Sequence, residues 1–129
     1  MPEKQPGART SSVDSRIFIG KTVGIRIDRP IGSPHPEHEF IYPVNYGYVP
    51  GVAGLDGEEL DAYVLGVDVP VERFTGRCIA VIQRLNDADD KLVIVPDGEN
   101  LTDEQIRGHT AFKEQFFESI IAREGTEPP

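Results

Sequence analysis

The chain has 129 residues, 13 Lys+Arg against 22 Asp+Glu, a formal net charge of -9 and an apolar fraction of 38%. That length suits one domain around a single small core, and no apolar run approaches the roughly 20 residues that cross a bilayer. The acidic balance opposes binding to nucleic acid, which calls for a basic face, and docking on anionic lipid membranes. The one cysteine excludes an intramolecular disulfide and a cysteine-based zinc site. Residues 1–20 lack the apolar stretch of a signal peptide, so a cytoplasmic location is expected.

In chain order, residues 1–15 read as a disordered polar tail, 16–123 as the folded domain and 124–129 as a second tail. Ile17–Ile19 and Thr22–Asp28 are strand candidates, the second with Val23, Ile25 and Ile27 alternating as in a half-buried strand. Residues 29–40 carry four prolines and glycines and read as a loop. Tyr42–Val49 is β-prone but interrupted by Pro43 and Gly47, and Asp61–Val67 is an apolar run of strand length. Gly76–Leu85 is the strongest strand candidate, with Ile79, Val81 and Leu85 expected on one face and Cys78 as a small buried hydrophobe. Lys91–Val95 is another, stopped by Pro96.

Thr102 and Gln105 have capping-box spacing, and Asp103 and Glu104 suit the positive end of a helix. Ile106, His109, Phe112, Phe116, Phe117, Ile120 and Ile121 then recur at three- and four-residue steps. The pattern predicts an amphipathic helix to about Arg123, split near Gly108, with His109 in the core. The whole is mainly β, of the α+β kind: a small closed or nearly closed barrel with a C-terminal α-helix packed on it.

Seven of the acids fall in two short loops: Asp56, Glu58, Glu59 and Asp61, then Asp87, Asp89 and Asp90. Converging carboxylates repel unless a cation lies between them, and oxygen-only clusters suit Mg²⁺ or Mn²⁺. On composition alone, solvated acidic loops are the commoner reading. Tyr42, Tyr46 and Tyr48 can donate to phosphate oxygens or serve as buried rings. Lys91 can bind an anion or pair with the acids before it.

Three blocks then stand out: Tyr42-Pro-Val-Asn-Tyr46-Gly-Tyr48-Val-Pro, Asp56-Gly-Glu58-Glu-Leu-Asp61-Ala and Asp87-Ala-Asp89-Asp-Lys91-Leu-Val. In this order they resemble the soluble family I inorganic pyrophosphatases, and Ile27-Asp28-Arg29-Pro30-Ile31-Gly32-Ser33 is a weaker match to the family's first core strand. The resemblance implies an OB-like five-stranded β-barrel with helices. It also implies Mg²⁺-dependent hydrolysis of pyrophosphate to two phosphates by a metal-activated water, with Mn²⁺ as the alternative ion, in an oligomer of identical chains. Matched by position, Asp56, Asp61, Asp87, Asp89 and Asp28 are the expected metal ligands, with Asp61 bridging two ions. Glu58 stands where the family has the acid that orients or deprotonates the water, Tyr46 and Lys91 match phosphate ligands, and Tyr42 matches the second active-site tyrosine.

The departures are specific. The family pattern Asp-x-Asp-Pro-x-Asp reads here Asp56-Gly-Glu58-Glu59-Leu-Asp61, so Glu58 reaches one methylene further. The segment Pro34–Ile41 has no lysine or arginine where the family carries substrate-facing cations; His35 and His38 read as loop residues, with a place in the site as the alternative. The family's helical Tyr-Lys pair, which holds the second phosphate, falls nearest to Phe116 and Phe117. Arg29, Arg84 and Lys113 are the cations able to compensate. Two other functions remain open: metal-dependent hydrolysis of another phosphoanhydride or a nucleotide, and non-catalytic binding of Mg²⁺ and phosphate.

Overall fold

The computed structural model describes residues 14–54, 57–85 and 87–124. A 3-10 helix, Ser15–Phe18, precedes strand β1 (Thr22–Arg29). It occupies the place expected of the first strand and begins within the expected tail. Ser15 is buried, and its hydroxyl donates to Asp90 Oδ2 at 2.7 Å. Strands β2 (Asn45–Ala53), β3 (Glu59–Val64), β4 (Arg73–Arg84) and β5 (Lys91–Val95) follow, then helix α1 (Asp103–Glu114) and strand β6 (Ser119–Ala122).

The hydrogen-bonded order is β1-β2-β3-β5-β4-β6, and β1 also pairs with β4. That extra pairing closes β1, β2, β3, β5 and β4 into a five-stranded barrel, with β6 added to the far half of β4. The β3–β5 pair is parallel and the other pairs are antiparallel. Among the described residues no helix is long and apolar enough to cross a membrane.

Side-chain alternation sorts the apolar residues into two clusters. Val23, Ile25, Ile27, Ala62, Val64, Leu92 and Ile94 belong to the first, and Tyr63, Leu65, Val93, Val95 and Ile106 of α1 to the second. The first is the barrel interior and the second its outer wall under the helix. Strand β5 is buried along its whole length because both faces are covered. A bulge in β4 between Cys78 and Ala80 breaks the alternation there. Cys78 and Val81 therefore join the first cluster, whereas Ile79, Ala80 and Ile82 join the second. Ile79 and Val81 are thus on opposite faces, contrary to the expectation from periodicity, and Leu85 is exposed.

Thr102 and Gln105 form the capping box. Helix α1 runs through Gly108 unbroken and stops at Glu114, well short of Arg123. Residues 119–122 instead pair with Val81–Arg84 as β6, so an apolar run read at helical spacing serves as an edge strand. Phe116 is 70% exposed and His109 lies on the solvent side of α1.

Gly47 sits where β1 and β2 approach most closely. A Cβ there would lie 1.9 Å from the carbonyl oxygen of Arg26. Buried Asn45 fixes two loops against the start of β2. Its Oδ1 accepts from the N–H of Ile31 at 3.1 Å and of Val71 at 3.4 Å, and its Nδ2 donates to the Val69 carbonyl at 3.0 Å.

Candidate active site

Strand register assembles one polar face on the outer wall. Tyr46 pairs with Tyr63 and with Arg29, Asp61 pairs with Lys91, and Lys91 pairs with Ile82. Residues two apart share a face. Tyr46, Asp61, Tyr63, Lys91, Ile82 and Arg84 therefore line a common surface, and helix α1 lays Phe112, Lys113 and Glu114 against it.

Asp61 is the hub. Its Oδ2 accepts from the Tyr46 hydroxyl at 2.9 Å and from Lys91 Nζ at 2.7 Å. Lys91, only 1% exposed, also pairs with Asp89 Oδ1 at 2.8 Å. A buried ammonium is costly unless paired, and here two carboxylates hold it. Burial, and then the Asp61 charge, push the Tyr46 hydroxyl well above its ordinary pKa, so it remains a donor.

Lys113, one of the three cations that the sequence names but does not place, lies on this face. Its Nζ lies 4.0 Å from the Tyr46 ring centroid and 6.0 Å from that of Tyr42. Burial, and then the neighbouring Lys91, lower its pKa to about 8. Phe116 is exposed and Phe117 covers the Arg84 guanidinium, whereas Phe112 and Lys113 face the tyrosines. The Phe112 ring packs edge-on against Tyr42 and Tyr63.

The remaining residues divide between this face and its rim. Tyr42 is buried, which raises its pKa, while adjacent Arg29 lowers it and Asp28 raises it. Arg29 and Asp28 therefore stand at the Tyr42 side, with Asp28 exposed at the bulge that ends β1. Asp87 reaches Arg84 at 3.6 Å and also accepts the Asp89 N–H at 2.9 Å. Glu58 is exposed on the turn before β3, and its backbone carbonyl accepts from Gly54. Asp56 lies outside the described residues. His35 stacks on Tyr42 at 5.9 Å and meets His38 at 4.6 Å and Phe40 at 4.9 Å, forming an aromatic rim. Its Nδ1 accepts the Glu37 N–H, and partial burial, then His38, hold its pKa below the usual value.

The donor set suits a hard divalent cation in kind, since it is made of carboxylate oxygens alone. Its placement is not a ready cage. Among the described residues no three carboxylate, imidazole or thiol groups converge on one point. Lys91 and Arg84 stand between the acids instead.

A model of the inorganic pyrophosphatase family matches residues 21–122, and the chain belongs to that family. By class it is an inorganic diphosphatase, and the family is generally metal-dependent. Solved structures share the fold. The inorganic pyrophosphatase of Ehrlichia chaffeensis superposes with a TM-score of 0.60 at 17% identity, over 84% of this chain and 86% of that one. The Helicobacter pylori enzyme gives 0.58 at 20% identity, over 80% and 85%. The Thermus thermophilus enzyme gives 0.53 at 17% identity, over 88% of each chain. Among curated proteins, none matches the chain.

Proposed function

We propose that this chain hydrolyses inorganic pyrophosphate to two phosphates with Mg²⁺, or alternatively Mn²⁺, as cofactor and water as nucleophile. The observation that carries the reading is the interleaving of Asp61 and Asp89 with Lys91 and Lys113 on one buried-edged face. Carboxylates alone would repel a polyanion, and ammonium groups alone would not hold a metal. Asp61, with Asp28 and Asp56 from the sequence match, would hold the cation, whereas Asp87 and Asp89, matched in the same way, face Arg84 and Lys91. When bound, a divalent cation lowers the pKa of a coordinated water and offsets phosphate charge.

The chain's own side chains supply the rest. Glu58 orients the attacking water and accepts its proton. A new P–O bond forms to the water oxygen, and the bridging P–O bond breaks with its electron pair on the departing phosphate. Lys91 and Lys113 stabilise the charge that accumulates there, and the Tyr46 hydroxyl donates to a phosphate oxygen. Arg29 and Tyr42 bind from the opposite side.

The aromatic rim of His35, His38, Phe40 and Tyr42 favours a second reading, a phosphoanhydride that carries a planar base. Association with a second copy is proposed because a domain of this size gains stability from a buried interface; light scattering tests it. Phosphate release from pyrophosphate, assayed with Mg²⁺, with Mn²⁺ and with chelator, tests the main reading. Release that requires the metal is expected. Clean protein with no release above background overturns it, and faster release from a nucleotide than from pyrophosphate establishes the second reading.

A further inference from the structure

Arg84 ends β4 with a side chain only 4% exposed. Its guanidinium forms a bidentate pair with Glu114 of α1, Nε at 3.0 Å from Oε1 and Nη2 at 2.8 Å from Oε2. The Tyr63 hydroxyl donates to the same Glu114 Oε2 at 2.6 Å, and the Phe117 ring covers the guanidinium 3.6 Å from Cζ. The remaining edge, Nη1, faces the acidic loop, at 3.2 Å from Asp89 Oδ2 and 3.6 Å from Asp87 Oδ2. Lys91 takes the other oxygen of Asp89. Both Asp89 oxygens therefore already face a fixed cation.

We propose that Arg84 is a built-in cation that takes the place of one divalent ion at the Asp87–Asp89 loop, so that the site works with fewer bound metals than its acids suggest. The proposal rests on the metal dependence argued above. Glu114, Tyr63 and Phe117 hold the guanidinium from behind, so it does not swing aside as an exposed arginine would. Its charge is permanent. A dication beside Asp87 and Asp89 would meet that charge within a few ångströms and with little solvent screening. Mg²⁺ also demands near-octahedral geometry, which carboxylate oxygens already committed to a guanidinium and an ammonium do not offer.

Mn²⁺ titration followed by electron paramagnetic resonance counts the bound ions. The informative variant is Arg84→Met with Glu114→Gln, which removes both charges of the buried pair and leaves Tyr63 an acceptor. It is expected to bind one more Mn²⁺ per chain than the native protein, and adding Asp87→Asn is expected to remove that ion. Asp87→Asn alone is expected to leave the native count unchanged; loss of an ion there overturns the proposal without any change at Arg84. Equal, non-zero counts in native and double variant overturn it too and leave metal dependence standing. No ion in the native protein and one in the double variant supports the role of Arg84 and overturns metal dependence. No ion in either overturns both.

Discussion

Asp61 and Lys91 stand on neighbouring central strands, whereas Glu58 stands on the exposed turn that leads into β3. The strand residues are paired before any substrate arrives, because register places Asp61 beside Lys91 and Tyr46 within hydrogen-bond reach. Glu58 owes its position to the turn and to the length of its own side chain. Charges fixed by a sheet are pre-organised by its register, while a charge on a turn moves with the turn. The substitutions below test that contrast.

The largest effect is expected where the sheet itself is disturbed. Gly47→Ala drives a Cβ into the Arg26 carbonyl on the neighbouring backbone, which no side-chain rearrangement relieves. A loss of at least about 3 kcal/mol in urea unfolding is expected, or failure to fold. A soluble variant of near-native stability would show that the strands carrying Tyr46 part more easily than the structure indicates.

Asp61→Asn comes next. It removes the carboxylate shared by Tyr46 and Lys91 and leaves Lys91 with Asp89 alone. Turnover is expected to fall by at least about 10²-fold, with roughly 2 kcal/mol of lost stability, less than for a fully buried pair because Asp61 is partly exposed. Asp61→Glu is expected to lose nearly as much activity, since a sheet-held partner does not shift to absorb an added methylene. Phosphate release and urea midpoints read the two effects separately.

Lys113 lies between the extremes, carried by a helix and poorly solvated. Its ammonium is expected to contribute about tenfold to substrate affinity, the scale of one hydrogen bond to a charged group. As pH rises through about 8 the lysine loses its proton, so KM is expected to rise on that limb and to stay flat in Lys113→Met. The stability effect has the opposite sign. Below pH 8 the lysine is charged in both folded and unfolded chains, and the cost of its burial is fully present. Between pH 8 and the ordinary lysine range the unfolded chain binds more protons, so stability rises with pH. Lys113→Met is therefore expected to be more stable by about 1 kcal/mol at neutral pH, and less so at alkaline pH. A destabilised variant with unchanged KM would make Lys113 a packing residue.

The same contrast explains what was legible in the sequence. Alternation over Val23–Ile27, the short run Lys91–Val95 and the Thr102–Gln105 cap are local signals, and each element appears where it was expected. Ile120 and Ile121 fit both helical and strand spacing, and the open edge of β4 decides between them. The bulge at Cys78–Ala80 leaves no mark in the pattern of apolar residues. Asp61, Asp89, Lys91 and Tyr46 lie in short contiguous blocks of the sequence, and strand register brings them together. Lys113, Arg84 and Glu114 join the site through the docking of α1 against β3 and β4, which residue spacing along the chain does not encode.

The smallest effect is expected from Glu58→Asp, where the contrast is sharpest. Glu58→Asp restores the length that the family pattern has, on a turn whose neighbour Gly57 adopts a positive φ of 84°. If the turn moves to keep the carboxylate on the water, the change in kcat stays within about tenfold of native, well below the effect of Asp61→Glu. Glu58→Gln keeps the size and removes the proton acceptor. Its loss is expected to exceed that of Glu58→Asp and to shrink as pH rises, because hydroxide then replaces the water that needs a base. Equal losses in the two variants, with no dependence on pH, would mean that reach and not basicity is what Glu58 supplies.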